Sequence, residues 1–426
     1  MDGQILNALE KIIGYKTVEG EAKPDMPFGE ENYRCLEETL KLCASFGMKT
    51  VNLDGYCGYA EIGEGELVGI LCHLDVVPTN DKWDTDPYTL TVKDGYIYGR
   101  GVVDDKGPAI LNIFALKELL KTGTPTKRIR LIFGCNEESG MGCMEYYKAH
   151  AEIPKIAYAP DAEFPLVSTE KGIADVQVYI SKPYGLTYIR GGQRKNIVPD
   201  YCEAAIHYLD VEKDISKVKF CTVEKVEDYY ILKANGKSAH ASTPELGDNA
   251  IVKVLKDLFA ITGKRWYLNL AKKAVNDGSG IGLKSSDFSG EFTVNLGRID
   301  TECELLKLWI DMRYPVTMSE EKVKEGARKF DKDAKITLSA PLNVDENSNL
   351  VKTLLDVYKE TTGSDKKPLR IGGGTYARAI PCTAVAFGPV ESDEPCNVHD
   401  ANENISLESF EKAYNIYKTA LKRLCF

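Results

Sequence analysis

The chain has 426 residues, 43% hydrophobic and 28% charged, ordinary values for a globular protein and long enough for two domains. Its formal net charge of -10 argues against nucleic acid or an anionic membrane as partner, and no apolar run approaches the roughly 18–20 residues of a membrane span. The 12 cysteines stand singly with no C-x-x-C, and the N-terminus has no basic stretch before an apolar one, so a cytoplasmic protein with reduced thiols and no signal peptide is expected.

Apolar spacing predicts helices over 3–13 and 30–46. Residues 49–62 read as a hairpin turning at Asp54-Gly55, and 88–98 as another turning at Asp94-Gly95. Between them, 67–72 is a short branched apolar run, the pattern of a strand buried on both faces. A buried helix is expected from Ala109 to Lys121, with Pro108 in its first turn, then a strand at 127–134, a helix at 140–150 and a strand at 156–159. Alternating β and α of this kind predicts an α/β domain whose mixed, mostly parallel sheet is covered by helices.

From about residue 171 strands dominate: 173–180, 187–190, 201–209 and 228–234, with a helix at 248–262. A second round follows: strands at 291–296, 305–313 and 335–339, with helices at 319–331 and 347–362. The phrases at 196–209 and 295–315 share a pattern of Asn, turn and long strand, which suggests two related halves. Short strands return after about 368, and a helix at 407–424 closes the chain. The expected organisation is a catalytic domain formed by 1–170 and 367–426, interrupted by an α+β lid domain over 171–366.

Acidic and histidine residues gather at the predicted strand ends. His73 and Asp75 follow the strand at 67–72, Glu137 and Glu138 the strand at 127–134, and Asp161 the strand at 156–159. Asp104 and Asp105 lie between a hairpin and a helix, and His399 follows the predicted strand Thr383 to Phe387. Taken singly, each reads as a capped strand end, a solvated helix start or ordinary loop chemistry. Together they use two of only five histidines with several carboxylates, all at the edge where open α/β sheets bind ligands. Mixed nitrogen and oxygen donors suit zinc, manganese or cobalt rather than calcium or magnesium. Five such donors suggest two ions sharing one carboxylate, a pair able to acidify water, with a neighbouring carboxylate free to act as base.

The phrases HLDVVP, GRGVVDDKGP, NEESG, PDAEFP, GKSAHASTPELGDNA, GGGTYAR and HDANE span 73 to 403 in this order. As a set they resemble the di-zinc metallopeptidase family of aminoacylase-1 and carboxypeptidase G, and within it the PepV-type dipeptidases (Xaa-His, carnosinase-like). The resemblance implies a phosphorylase/hydrolase-like catalytic domain in which His73 and Asp161 hold one metal, Glu138 and His399 the other, and Asp104 bridges them before a cis peptide to Asp105. It implies that Asp75 orients His73, that Glu137 is the general base, and that His240 of the lid stabilises the oxyanion. Asn196 and Arg313 match positions that hold the substrate carboxylate, with a structural ion pair to Asp311 as the other reading of Arg313. Gly373, Gly374 and Arg378 lie in a turn that lines the substrate pocket in the family. His150 and His207 match no motif and are assigned to structure.

DDKGP in place of D-M-K-G-G, and GGGTYAR in place of a GGTSDAR-like phrase, point away from aminoacylases. The 237 residues between Asp161 and His399 resemble the branch with a long, two-halved insert, which implies a monomer. The expected activity is hydrolysis of small peptides, dipeptides with a free amino terminus, using two divalent ions, zinc first and manganese or cobalt otherwise. An N-acyl amino acid amidohydrolase on the same fold, and a non-catalytic metal- or peptide-binding homologue, are the alternatives.

Overall fold

The structure is a computed structural model that describes residues 3–211 and 214–426. It divides into two compact units, one formed by 1–168, 344–369 and 375–426, the other by 169–343 and 370–374.

The first unit is built on a mixed sheet with the spatial order Lys49–Leu53, Cys57–Ile62, Arg128–Gly134, Leu67–His73, Ile156–Ala159 and Thr383–Ala386. The four strands from Arg128–Gly134 to Thr383–Ala386 run parallel, while the two leading strands are antiparallel. Every residue of Leu67–His73 is buried. Because side chains alternate across a strand, this means that both faces are covered, as the continuous apolar run requires. The helix Lys106–Leu120 buries 12 of its 15 residues and packs against Leu67–His73 and the closing helix Leu407–Cys425. Ser406 caps that closing helix, its hydroxyl accepting the Ser409 N–H at 3.0 Å.

The inserted segment ends earlier than the sequence reading placed it. The chain returns to the first unit at Val344, not at 367, and only Arg370–Gly374 revisits the second unit. The helix Asn349–Thr362 explains the correction. Leu350, Val351, Leu354, Val357 and Tyr358 form one buried stripe. Tyr358 stacks on Phe164 with centroids 5.7 Å apart, and its hydroxyl donates to Glu391, both residues of the first unit. Burying each large apolar side chain of such a stripe is worth roughly 1.5–3 kcal/mol, so the helix follows its apolar face and not the texture of the surrounding sequence.

The second unit is one antiparallel sheet in the order Thr222–Val226, Tyr229–Asn235, Tyr201–His207, Leu186–Gly191, Thr293–Glu302, Leu305–Tyr314, Gly172–Ser181 and Lys335–Ser339. The two stretches expected as halves are interleaved in this sheet: Leu186–Gly191 meets Thr293–Glu302 through Gly191↔Ile299, but Gly172–Ser181 lies between Leu305–Tyr314 and Lys335–Ser339. Burial alternates over Gly172–Tyr179, and Ala174, Val176 and Val178 enter a core shared with the helix Ala250–Thr262. A helix over Arg265–Lys273, with no counterpart in the sequence reading, also packs there. Tyr88–Leu90, expected as part of a hairpin strand, is irregular; pairing begins only at Thr91. Among the described residues, no helix is long and apolar enough to cross a membrane.

Candidate metal centre

The four parallel strands stop where the acidic and histidine residues begin. Leu67–His73 ends on His73; Arg128–Gly134 leads to Glu137 and Glu138; Ile156–Ala159 leads to Asp161; Thr383–Ala386 leads through the short strand Pro389–Glu391 and a loop to His399. Asp104 precedes the helix Lys106–Leu120, and the Asp104–Asp105 peptide bond is cis. Gly134, the last residue of its strand, has no room for a side chain. A Cβ there would lie 1.9 Å from the hydroxyl of Tyr376, whose buried ring stands edge-on to His73 at 6.0 Å.

The five residues expected to ligate metal are brought together in two overlapping sets. His73, Asp104 and Asp161 form one, Asp104, Glu138 and His399 the other, and within each set the donor atoms lie within 4.8 Å of one another. His73 Nε2 is 2.9 Å from Asp104 Oδ1 and 3.8 Å from Asp161 Oδ2. His399 Nε2 is 2.8 Å from Asp104 Oδ2 and 3.0 Å from Glu138 Oε1.

His73 Nδ1 lies 3.0 Å from the Asp75 backbone carbonyl. A carbonyl only accepts, so Nδ1 carries the proton and Nε2 is left as the donor atom for a cation. Nε2 is buried and, despite its short distance to Asp104, lacks hydrogen-bond geometry to any group in the structure. A buried polar atom aimed among carboxylates without such a bond fits a cation as its partner. Asp75 therefore acts on His73 through its main chain. Its carboxylate, 3.6 Å from Nδ1, instead accepts the N–H groups of Glu137 and Glu138 at 3.0 Å each. Asp105 supplies a further tether unmarked in the sequence reading: its Oδ2 accepts the His73 N–H at 3.1 Å.

Electrostatics point the same way. Burial, reinforced by Asp104, raises the carboxyls of Glu138 and Asp161. Burial lifts Glu137 to about 8; His73 opposes this, while Glu138, Asp104 and Asp75 add to it. On His73 and His399 burial opposes the charged ring, but the nearby carboxylates outweigh it; His399 is raised to about 11 by Asp104 and Glu138. Asp104 is also opposed by burial, yet His399 and His73 hold it well below the usual carboxylate range. The cluster concentrates more negative charge than its two imidazoles balance, which is the compensation that divalent ions provide.

Other expected site residues lie in the second unit. Asn196 accepts the Ala241 N–H on its backbone oxygen at 2.9 Å, and Ile197 bridges His240. His240 Nδ1 accepts the Ser242 N–H at 3.2 Å, with the Ser242 hydroxyl 2.7 Å away, so Nε2 carries the proton of the neutral ring. The Ala241 carbonyl accepts from Thr293 Oγ1, and Thr293 pairs with Arg313 across the sheet. Arg313 is buried and grips Asp311 with Nε at 2.6 Å and Nη2 at 2.8 Å, while Nη1 donates to the Gly372 carbonyl at 3.2 Å. The structural ion pair weighed for Arg313 is thus present. Gly373 and Gly374 belong to this unit and Arg378 to the first. His150 stacks on Tyr146 at 3.9 Å and His207 on Tyr208 at 5.0 Å, both structural contacts.

Residues 69–423 match the model of peptidase family M20/M25/M40. A Bacillus subtilis (strain 168) protein named "Putative dipeptidase YtjP" is 36% identical over 95% of this chain and 93% of its own. The fold is similar to that of the M20 family metallo-carboxypeptidase Sso-CP2 from Sulfolobus solfataricus, with a TM-score of 0.62 at 19% identity over 99% of both chains. It is also similar to human carnosine dipeptidase 1, with a TM-score of 0.60 at 15% identity over 99% of this chain and 95% of that one. With a family match over most of its length, and acidic and histidine residues converging at the strand ends, this chain belongs to peptidase family M20/M25/M40.

Proposed function

We propose that the protein is a dinuclear metal-dependent dipeptidase that cleaves dipeptides with a free amino terminus. The observation that carries this reading is the pair of three-residue donor sets sharing Asp104, with Glu137 beside Glu138. His73 and Asp161 would hold one divalent ion, Glu138 and His399 the other, and Asp104 both. Two such ions, zinc first and manganese or cobalt otherwise, supply a Lewis acid for the scissile carbonyl and lower the pKa of water. Glu137 takes the proton of the attacking water and returns it to the leaving amine. Its position is fixed by Asp75, which holds the main chain of both glutamates.

In this reading His240 donates its Nε2–H to the developing oxyanion, a task for which Ser242 has already selected the tautomer. Asn196 and Arg313 are the residues assigned to the substrate carboxylate, and Gly373, Gly374 and Arg378 are further substrate-binding residues. The chain works as a monomer.

A substrate panel tests the reading. Chelator-treated protein loses activity and regains it with Zn²⁺, Mn²⁺ or Co²⁺, and cleaves dipeptides while sparing N-acetyl and N-succinyl amino acids. Preference for the acylated compounds moves the protein to the amidohydrolases, and no hydrolysis with any metal removes the enzyme reading. His240→Ala is expected to lower kcat by about 10²–10³-fold with metal content unchanged, the cost of losing one oxyanion donor. A change in KM alone would show that His240 only binds substrate.

A further inference from the structure

Behind the candidate metal ligands lies a buried ion pair with no assigned role. Glu403 is fully buried, and both of its oxygens are occupied by the loop that delivers Asp104. Oε1 accepts the N–H groups of Val103 at 2.9 Å and Asp104 at 3.2 Å. Oε2 accepts the Gly101 N–H at 3.0 Å and Arg100 Nη1 at 2.7 Å. Arg100 is also buried, lies over the Trp83 ring at 5.3 Å, and sends Nη2 to the Asp400 carbonyl at 3.1 Å. Asp400 follows His399 directly. Asn397, His399 and Asn402 of that loop have φ of 49°, 63° and 59°, the left-handed region that Asn and His enter more readily than most residues.

We propose that Arg100 and Glu403 are positioning residues that set the separation of Asp104 and His399, and thereby the affinity of the ion shared by Asp104, Glu138 and His399. The proposal rests on the dinuclear reading above. All five bonds tie the 400–403 segment to the 100–104 loop, roughly 300 residues away in sequence; four end on Glu403, and the fifth fixes Asp400, the residue next to His399. On the His73 side Asp105 anchors the same loop independently, its Oδ2 accepting the His73 N–H, so loss of the clamp is expected to fall mainly on the His399 side. Outer partners of metal ligands are worth about 10–100-fold in metal affinity. Here that loss falls on one ion of the two.

Zn²⁺ titration of the full-length protein against a chromophoric chelator tests this, with His399→Ala identifying which binding step uses His399. Wild-type protein taking up two equivalents tests the metal centre itself; only the variants test the clamp. Glu403→Gln is expected to weaken the His399-dependent step about 10–100-fold and leave the other within the error of the titration. Arg100→Lys keeps the buried charge paired but cannot reach both Glu403 and the Asp400 carbonyl, and is expected to show the same selective loss. Should Glu403→Gln fail to fold, Arg100→Lys decides on the same criterion. Weakening of both steps alike, the mark of a general loosening of the fold, overturns the proposal, as do two wild-type affinities.

Discussion

Glu137→Gln is expected to reduce kcat by about 10²–10⁴-fold while the protein still binds two metal equivalents. The substitution keeps the shape of the side chain and removes its ability to accept a proton. It leaves the main chain untouched, and that is where Asp75 takes hold: the N–H groups of both residues 137 and 138 donate to its carboxylate. Glu138 therefore stays beside His399 and Asp104. A base has to hold a proton transiently, and burial raises the Glu137 carboxyl above its ordinary value, so that it holds a proton more readily than an exposed carboxylate. The measurement is steady-state hydrolysis of a dipeptide together with metal analysis of the same sample. Turnover within a few-fold of wild type, at full metal content, would take Glu137 out of the proton transfer.

Strand ends were legible in the sequence because their signal is local. The apolar run closing on His73, Gly134 before Glu137 and Glu138, and Ala159 before Asp161 each announce a buried strand by composition over a few residues, and the residue after a parallel strand has a known address in an α/β sheet. The five residues that converge in the structure are among the acidic and histidine positions the sequence gathered near these strands, and it was the resemblance of the motifs that chose them from their neighbours. Contacts of a different kind were not legible. Glu403 stood in the quoted HDANE phrase, yet its task depends on backbone amides about 300 residues away, and no periodicity encodes such a pairing. The carboxylate of Asp75 was assigned to His73 because the two are neighbours in sequence; its actual partners, the amides of Glu137 and Glu138, are brought to it by the parallel pairing of Leu67–His73 with Arg128–Gly134. The return of the chain at Val344 was missed for a related reason. The helix at 349–362 has the same amphipathic texture whichever unit it joins, and only the partners of Tyr358 decide.

Asp104→Ala is expected to weaken both metal equivalents together, each by more than the roughly 10–100-fold that loss of an outer partner costs, and to abolish activity with them. The argument is one of counting donors. Each set has three protein ligands, and Asp104 is the member common to both, with Oδ1 facing His73 and Oδ2 facing His399. Its removal leaves His73 with Asp161 and Glu138 with His399, two donors apiece where about three are needed to hold a catalytic ion. Asp161→Ala and His399→Ala each remove a donor from one set only, so each should leave one tight equivalent. Equilibrium titration of the three variants gives the pattern directly. One wild-type-affinity equivalent retained by Asp104→Ala would mean that its carboxylate serves a single ion. The two donor sets would then be separate mononuclear sites, and the shared clamp on the reacting oxygen, on which a two-metal mechanism depends, would be lost.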